Sequence, residues 1–123
     1  MASTTGPRNG IQHSWTLGES GWNTGSDANL KFLDNFGVHL SVKDRDLLTP
    51  PASPANGDTY ILASGTLTGA WVGRTAGDLA MWSTQDAAWR YKTPRQGYLC
   101  YIEDEQKLSV FKTGTGWSAG VAI

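Results

Sequence analysis

The feature that most constrains the fold of this chain is a glycine that recurs at intervals of twenty residues. A run of strand-forming residues and then a tryptophan follow each of these glycines. The glycines are Gly57, Gly77 and Gly97, the runs are Thr59–Ala63, Leu79–Ser83 and Leu99–Ile102 (with a partner run at Leu108–Phe111), and the tryptophans are Trp71, Trp89 and Trp117. We interpret each unit as a turn glycine, a strand, a polar tip and a return strand that carries an aromatic residue. Three such units predict a small antiparallel β meander or open barrel.

Composition agrees with a turn-rich β protein. The chain has 123 residues, which suits one domain, and 15 of them are glycine, while only 17% are charged. A chain of this length can bury a core of its own, although not a large one. We therefore predict a mainly β fold with one short α-helix.

The second glycine unit predicts a specific hairpin. A four-residue tip from Thr84 to Ala87 is more natural than a tight Gln-Asp turn, which lacks the usual glycine. The tip sets four cross-strand pairs, of which the first two share one face: Trp82 with Trp89, Ala80 with Tyr91, Met81 with Arg90 and Leu79 with Lys92. A three-residue tip would shift this register. The paired rings are interpreted first as core residues, and display to a partner stays open as the alternative.

The first 25 residues predict an extended arm, because they are rich in Gly, Ser, Thr and Asn and show no sustained period. The arm carries Trp15 and Trp22, which an isolated disordered tail would rarely contain. We expect these rings to dock on the parent domain or on a neighbouring subunit. The segment 1–25 is therefore interpreted as an anchoring or oligomerisation arm.

The next segment, 26–47, predicts a short helix followed by a strand. The helix is expected over Ala28–Phe36, capped by Ser26 or Asp27, with one apolar stripe and with Gly37 in a left-handed conformation at its end. Alternation then predicts a strand in which apolar residues share one face and His39 points away from it. The helix stripe is Leu30, Leu33 and Phe36, and the apolar strand residues are Val38, Leu40 and Val42. A proline-rich loop, Leu48–Asp58, begins the β-hairpin domain, 48–123.

Charge and motifs exclude several functional classes from our expectations. The net charge is −1 and no basic stripe is present, so no nucleic-acid partner is expected. Neither a signal sequence nor a membrane span is recognisable, and a single cysteine, Cys100, leaves no internal disulfide. We expect no metal and no cofactor, since His13 and His39 lie in different segments and the carboxylates of Glu103–Glu105 read as a solvated turn. No catalytic set is recognisable, so a non-enzyme is expected.

Several stretches resemble the DUF2793 family. They are PRNGIQ and WTLGESGWNTG with the following DANL, within Pro7–Leu30, and later LTPPASPANGDTYI, GDLAMW and TPRQGYL. The motif GWNTG followed by DANL is the most specific of these. The resemblance covers nearly the whole chain. It implies a module of fibre, spike or tail proteins in tailed bacteriophages and phage-like gene transfer agents, with no established catalytic residues. We expect the module to stand here without the long fibre that often accompanies it.

From these features we expect a structural protein on the surface of a virion, made in the host cytoplasm, with other virion proteins as partners. The arm would attach it, the β domain would face outward, and a trimer or pentamer would suit fibre or vertex positions. Head and tail positions both stay open. The alternative is a tail-fibre or baseplate receptor-binding module that contacts host glycans, and an enzyme on host polysaccharide is a third hypothesis that lacks converging carboxylates. Candidate anchoring or oligomer contacts are Arg8, Trp15, Trp22, Leu30, Leu33 and Phe36, and candidate ligand contacts are Trp71, Trp82, Trp89, Tyr91, Tyr98 and Trp117.

Overall fold

The computed structural model describes residues 3–37 and 40–123, which divide between two compact units, Met1–Val38 and His39–Ile123. These residues form ten strands in three sheets and a single short α-helix, so the predicted mainly β fold is confirmed. In the described part of the chain, no helix has the length and apolar character of a membrane span. The functional division into arm, helix-plus-strand and hairpin segments stays a prediction.

The first unit contains a small hairpin and the helix. Strands β1 (Thr4–Thr5) and β2 (Gln12–His13) pair antiparallel within the segment expected to be an arm. Helix α1 spans Trp22–Phe32 and continues into a π turn, Leu33–Gly37. Residues 3–37 therefore carry regular structure of their own, and the helix lies close to the expected place but with different ends.

The predicted start of the helix, Ala28 with a Ser26 or Asp27 cap, is wrong. Helix α1 begins at Trp22, and its N-cap residue is Gly21, with φ 85° and no side-chain cap bond. Tertiary packing explains the earlier start: Gly25 is buried, and a Cβ atom there would lie 2.5 Å from the ring of Trp15. The first turn of the helix is thus held by contacts that local propensity does not report.

The predicted end of the helix also needs correction. Gly37 was expected to adopt a left-handed conformation, but it lies inside the π turn and has no positive φ. The widened last turn takes the place of the glycine cap. Of the expected apolar stripe only Phe36 is buried, whereas Leu30 and Leu33 are exposed.

The second unit contains the remaining eight strands. They are β3 (Ser41–Val42), β4 (Thr59–Ile61), β5 (Leu79–Ser83), β6 (Ala88–Lys92), β7 (Leu99–Ile102), β8 (Lys107–Lys112), β9 (Gly116–Trp117) and β10 (Val121–Ala122). One sheet has the order β4-β5-β6, and the other has the order β10-β8-β7-β3, with β9 paired to β8. The glycine-opened strands are therefore distributed over two sheets.

Strand β3 forms a parallel pair, which the predicted antiparallel meander did not include. It pairs parallel to β7, with Ser41 opposite Tyr101 and Val42 opposite Ile102. The predicted alternation holds for the residues that are described, because Val42 is fully buried and its neighbours Ser41 and Lys43 are exposed. The expectations for Val38 and His39 lie outside the described residues.

The twenty-residue repeat is a structural repeat. The three glycines have φ values of 89°, 92° and 92°, in the region that only glycine enters at little cost. Each is the third residue of a four-residue turn closed by a backbone bond, from Asp58 to Ala55, from Asp78 to Thr75 and from Tyr98 to Arg95, with N···O distances of 3.0, 3.2 and 3.0 Å. Each glycine N–H also donates to a carbonyl of a nearby strand or strand end. A positive φ at the third position is what a type II turn requires.

The first glycine unit departs from the predicted strand pair. Trp71 lies in a short 3-10 turn, Gly69–Trp71, and not in a return strand. Both edges of β4 are already occupied, by β5 on one side and by residues 43–44 on the other. The chain after β4 therefore has no free edge to pair with, and it instead folds back so that Trp71 enters the core.

Candidate interaction surfaces

The second hairpin has the predicted register. Trp82 pairs with Trp89 and Ala80 pairs with Tyr91, as do the two expected pairs on the opposite face. The rings of Trp82 and Trp89 lie edge to face at 5.5 Å. The tip is the four-residue turn Thr84–Ala87, in which Ala87 has φ 50°. The aromatic pair therefore follows from the strand period together with the length of the turn.

Two of the six candidate ligand-contact aromatics lie inside the protein. Trp71 is 0% exposed and Trp89 is 8% exposed, and their ring centroids are 5.2 Å apart. Tyr60 packs edge-on to Trp89 at 5.9 Å. Leu62, Leu67 and Ala80 complete the cluster. These rings belong to one buried cluster of the second unit and are not available to a partner while the chain is folded.

Other aromatic rings lie at the margin of this core. Trp82 and Tyr91 are half-buried and pack against the cluster from its edge. The guanidinium of Arg74 lies 3.6 Å above the ring of Tyr91, in a cation–π contact. The Tyr91 hydroxyl donates to the carbonyl of Ala70, and burial raises the pKa of Tyr91. Tyr91 is thus held in place at this margin by two contacts of its own side chain.

A groove of about 310 Å³ lies beside a second aromatic pair. Phe111 and Trp117 meet edge to face at 5.4 Å, and both are half-buried. The Trp117 Nε1–H donates to the carbonyl of Gly77 at 2.8 Å, which fixes the indole at the wall of the groove. The tryptophan was predicted as a contact residue, whereas the groove and Phe111 were missed. The facing strands β8 and β9 are the signal that could have found them, since they place Phe111 opposite Trp117.

Arg45 also lines the groove, but four of the five N–H groups of its guanidinium donate hydrogen bonds that hold the fold. It donates to both carboxylate oxygens of Glu105 at 2.8 Å and to the carbonyls of Ser118 and Ala119 at 2.8 Å. The hydrogen bond with Glu105 raises the pKa of Arg45, and it lowers the pKa of Glu105. Arg45 thus ties three separate segments together.

Three carboxylates gather where β3 meets the turn after β7. They have carboxylate oxygens within 4.8 Å of one another, one each from Asp44, Asp46 and Asp104. Partial desolvation raises the pKa of the exposed Asp104, and the neighbouring carboxylates add to this effect. The parallel pairing of β3 with β7 creates this juxtaposition, which could not be inferred from spacing along the chain. Glu103 and Asp104 are exposed, as expected for a solvated turn at 103–105, but the expectation is wrong for Glu105, which is half-buried and paired with Arg45.

The first unit exposes apolar side chains on one side of its helix. Trp22, Leu30 and Leu33 are 56%, 61% and 42% exposed, and their spacing puts them on one side of the helix. We call these three residues the helix stripe. Arg8 is also exposed, whereas Trp15 is half-buried against Gly25 and Phe36 is buried. Of the candidate anchoring residues, Trp15 and Phe36 therefore serve the packing of the unit itself.

The model of one protein family, described as a protein of unknown function (DUF2793), matches residues 26–118. The chain belongs to the DUF2793 family. The DUF2793 match begins inside α1 and ends one residue after β9, so it includes strands β3 to β9 and the residues that line the groove, but not β10. Searches of curated proteins and of solved structures found no match.

Proposed function

We propose that this DUF2793 chain is a non-enzymatic structural protein on the surface of a phage or phage-like virion, a fibre, spike or decoration subunit. Residues 3–37 attach it to other virion proteins, and residues 40–123 carry its outward surface. Membership in DUF2793, together with the phage context that the family resemblance implies, supports the proposal. A trimer or a pentamer remains the oligomer that fits such a position.

The observation that carries the proposal is the helix stripe. Three large apolar side chains that share one side of a helix and are each more than two-fifths exposed form a surface that favours burial against a partner. Burying a fully exposed Leu side chain contributes about 1.5 to 3 kcal/mol, so burial of the exposed parts of these three side chains would favour attachment. An aromatic residue among them fits the usual composition of interface centres.

The test is incorporation of stripe variants into particles. Leu30→Lys and Leu33→Lys place a charge in the proposed contact, and we expect each to lower the amount of chain per purified particle by at least about tenfold. Thr24→Lys is the matched control, because Thr24 is exposed on α1 but lies away from the stripe. Unchanged incorporation of the stripe variants, with unfolding midpoints equal to that of the control, would contradict the proposal.

A second candidate function is a receptor-binding module for host glycans, and the groove beside Phe111 and Trp117 favours it. Half-exposed aromatic rings stack on the apolar faces of sugars, and a groove of about 310 Å³ has the size of a small-ligand site. The half-buried Trp82, Tyr91 and Tyr98 do not line the groove and stay separate candidate contacts.

A glycan array tests this second candidate. Intact particles should bind at least one host polysaccharide, and Trp117→Ala should abolish that binding, whereas Val72→Ser, at an exposed apolar residue outside the groove lining, should not. A folded Trp117→Ala variant that binds as well as the unchanged protein would rule out the groove as the site.

A further inference from the structure

The sheet formed by β10, β8 and β7 carries apolar side chains on both faces. Residues that pair directly across strands share a face, and neighbours along a strand alternate. Val121 pairs with Leu108, Leu108 with Tyr101, and Leu99 with Val110. We call the surface formed by these five residues the outer face. The opposite face contains Cys100, Ile102 and Ser109, which are all fully buried.

The outer face is uncovered in the chain by itself. Leu99, Leu108 and Val121 are 59%, 37% and 69% exposed, and Tyr101 and Val110 are half-buried. Antiparallel sheets with one packed face normally carry polar residues on the other. An apolar patch that runs without interruption across three strands is therefore an interaction surface.

Charges of opposite sign end this patch. Glu103 follows Tyr101 and Ile102 at one end of the outer face, and Lys112 follows Val110 and Phe111 at the other. They lie at opposite ends because β7 and β8 run antiparallel. Both residues are exposed, and the Glu103 carboxylate accepts a hydrogen bond from Ser41 Oγ at 2.7 Å.

We infer that a second copy of this chain covers the outer face. The two copies are related by a two-fold axis that lies midway between their facing sheets and runs perpendicular to the strands. This rotation reverses the strand direction, so Lys112 of each copy lies over the end of the face that carries Glu103 in the other. It also places Leu99 over Tyr101 of the second copy and Val110 over Leu108. Sheets packed in this way lie about 10 Å apart, with interleaved side chains. The contact is closed and self-complementary.

The size of the outer face sets the expected strength of the contact. Its five side chains are only partly exposed, so together they offer less area than the roughly 800 Å² per partner of a standard stable interface. We therefore expect a weak dimer in dilute solution, with a dissociation constant between about 1 µM and 1 mM. Copies that a particle holds near one another would pair more completely, because their effective concentration is higher. The inference does not depend on the proposed virion role.

Sedimentation velocity of the full chain over about 1 µM to 1 mM tests the inference. The chain should dimerise reversibly, and Leu99→Lys and Val121→Lys should each weaken the dimer by at least tenfold, since each buries a charge. Val72→Lys is the matched control and should dimerise normally, because Val72 is 65% exposed but lies in a loop outside this face. These sites are exposed, so the variants should unfold at the midpoint of the unchanged chain.

Charge reversal tests the antiparallel orientation of the two facing sheets in the proposed dimer. Lys112→Glu and Glu103→Lys should each weaken the dimer several-fold, and the variant that carries both should dimerise nearly as well as the unchanged chain. Failure of the double variant to recover would overturn the two-fold arrangement. A chain that stays monomeric throughout, a Leu99→Lys variant that dimerises normally, or a dimer that Leu30→Lys alone removes would overturn the inference, the last by assigning the contact to the helix stripe.

Discussion

At the scale of single residues, the tryptophans of this chain have different roles. Trp71 is fully buried and touches both Tyr60 and Trp89, while its Nε1–H finds no acceptor among the described residues. An unpaired buried donor costs about 1 to 3 kcal/mol, so the packing of this ring must offset that cost. Trp22 is 56% exposed and belongs to the helix stripe. One residue type therefore serves both the core and a surface.

The contrast between these two residues is measurable in chemical denaturation. Trp71→Ala should lower the free energy of unfolding by about 3 to 5 kcal/mol, because it leaves a large cavity in the core. Trp22→Ala should change it by no more than about 0.5 kcal/mol, as is usual for an exposed position. Equal losses for the two variants would contradict the assignment of Trp71 to the core and Trp22 to the helix stripe.

The thiol of the single cysteine should be unreactive in the folded chain. Cys100 is fully buried, and burial raises the pKa of its thiol to about 12, so almost no thiolate forms at neutral pH. We expect labelling by a thiol reagent at pH 8 to be slower than that of a free cysteine by at least about a hundredfold and to become fast in denaturant. Rapid labelling under native conditions would show that β7 opens or that the thiol is accessible.

At the scale of elements, two hairpins use the same four-residue turn. The turn Thr84–Ala87 ends in Ala87 at φ 50°, and the turn between β7 and β8 ends in Gln106 at φ 54°. Left-handed backbone is unfavourable for both residues, by about 1 kcal/mol each. In the β5–β6 hairpin the turn is nevertheless stabilised, because Asp86 accepts hydrogen bonds from Ser83 Oγ and from Arg90 Nε.

Ala87→Gly should therefore stabilise the hairpin. Glycine adopts this φ without strain, although its unfolded state is more flexible, and the net gain should be about 0.5 to 1 kcal/mol. Thermal unfolding gives the measurement, and Ala88→Gly in strand β6 is the control, which should destabilise by about the same amount. A loss of stability at position 87 would show that the turn is not held in the left-handed conformation.

The elements differ in how far the sequence determines them. The hairpin Leu79–Lys92 was predicted with its register, because strand alternation and the turn residues lie within fifteen neighbouring positions. The pairing of β3 with β7 was not, since it joins residues about sixty positions apart and leaves no local signal. The predictions for the start of α1 and for the place of Trp71 were wrong for the same reason. Both features depend on tertiary contacts, of Gly25 with Trp15 and of β4 with both its neighbours.

The candidate surfaces were likewise predictable only where the signal is local in the sequence. The tryptophan at the groove wall was predicted as a contact residue, and the exposed Trp22 and Leu30 were predicted as anchoring residues, because a large apolar side chain in a polar segment stands out in the sequence. The groove itself, the gathering of Asp44 with Asp104 and the apolar outer face depend on strand order, which alternation alone does not give.

At the scale of the second unit as a whole, the Arg45–Glu105 pair joins segments that are distant in the sequence. The pair is largely buried, with 16% and 23% of the two side chains exposed, and Arg45 also holds the carbonyls of Ser118 and Ala119. Arg45→Met should lower the free energy of unfolding by about 2 kcal/mol, the usual loss for hydrogen bonds to a charged group. Arg90→Met, at the exposed pair with Asp86, should have little effect.

The effect of Arg45→Met should depend on pH. Because Arg45 lowers the pKa of Glu105 in the folded chain, the unfolded chain binds a proton at this group more readily. The stabilisation by the pair is therefore complete above the unfolded-state pKa of glutamate, about 4.3, and is lost as the pH falls through the lower folded-state pKa. The difference in free energy of unfolding between the two proteins should shrink at acid pH to the part contributed by the bonds from Arg45 to the carbonyls of Ser118 and Ala119. A difference that stays constant or grows there would contradict this account.

At the scale of the particle, a cryo-electron microscopy reconstruction of particles from cells that make this chain tests the central claim most directly. The account predicts copies of the chain on the particle surface, with Trp22, Leu30 and Leu33 buried against a particle protein and with the groove beside Trp117 open to solvent. Particles that lack the chain, or copies whose helix stripe faces solvent, would contradict it.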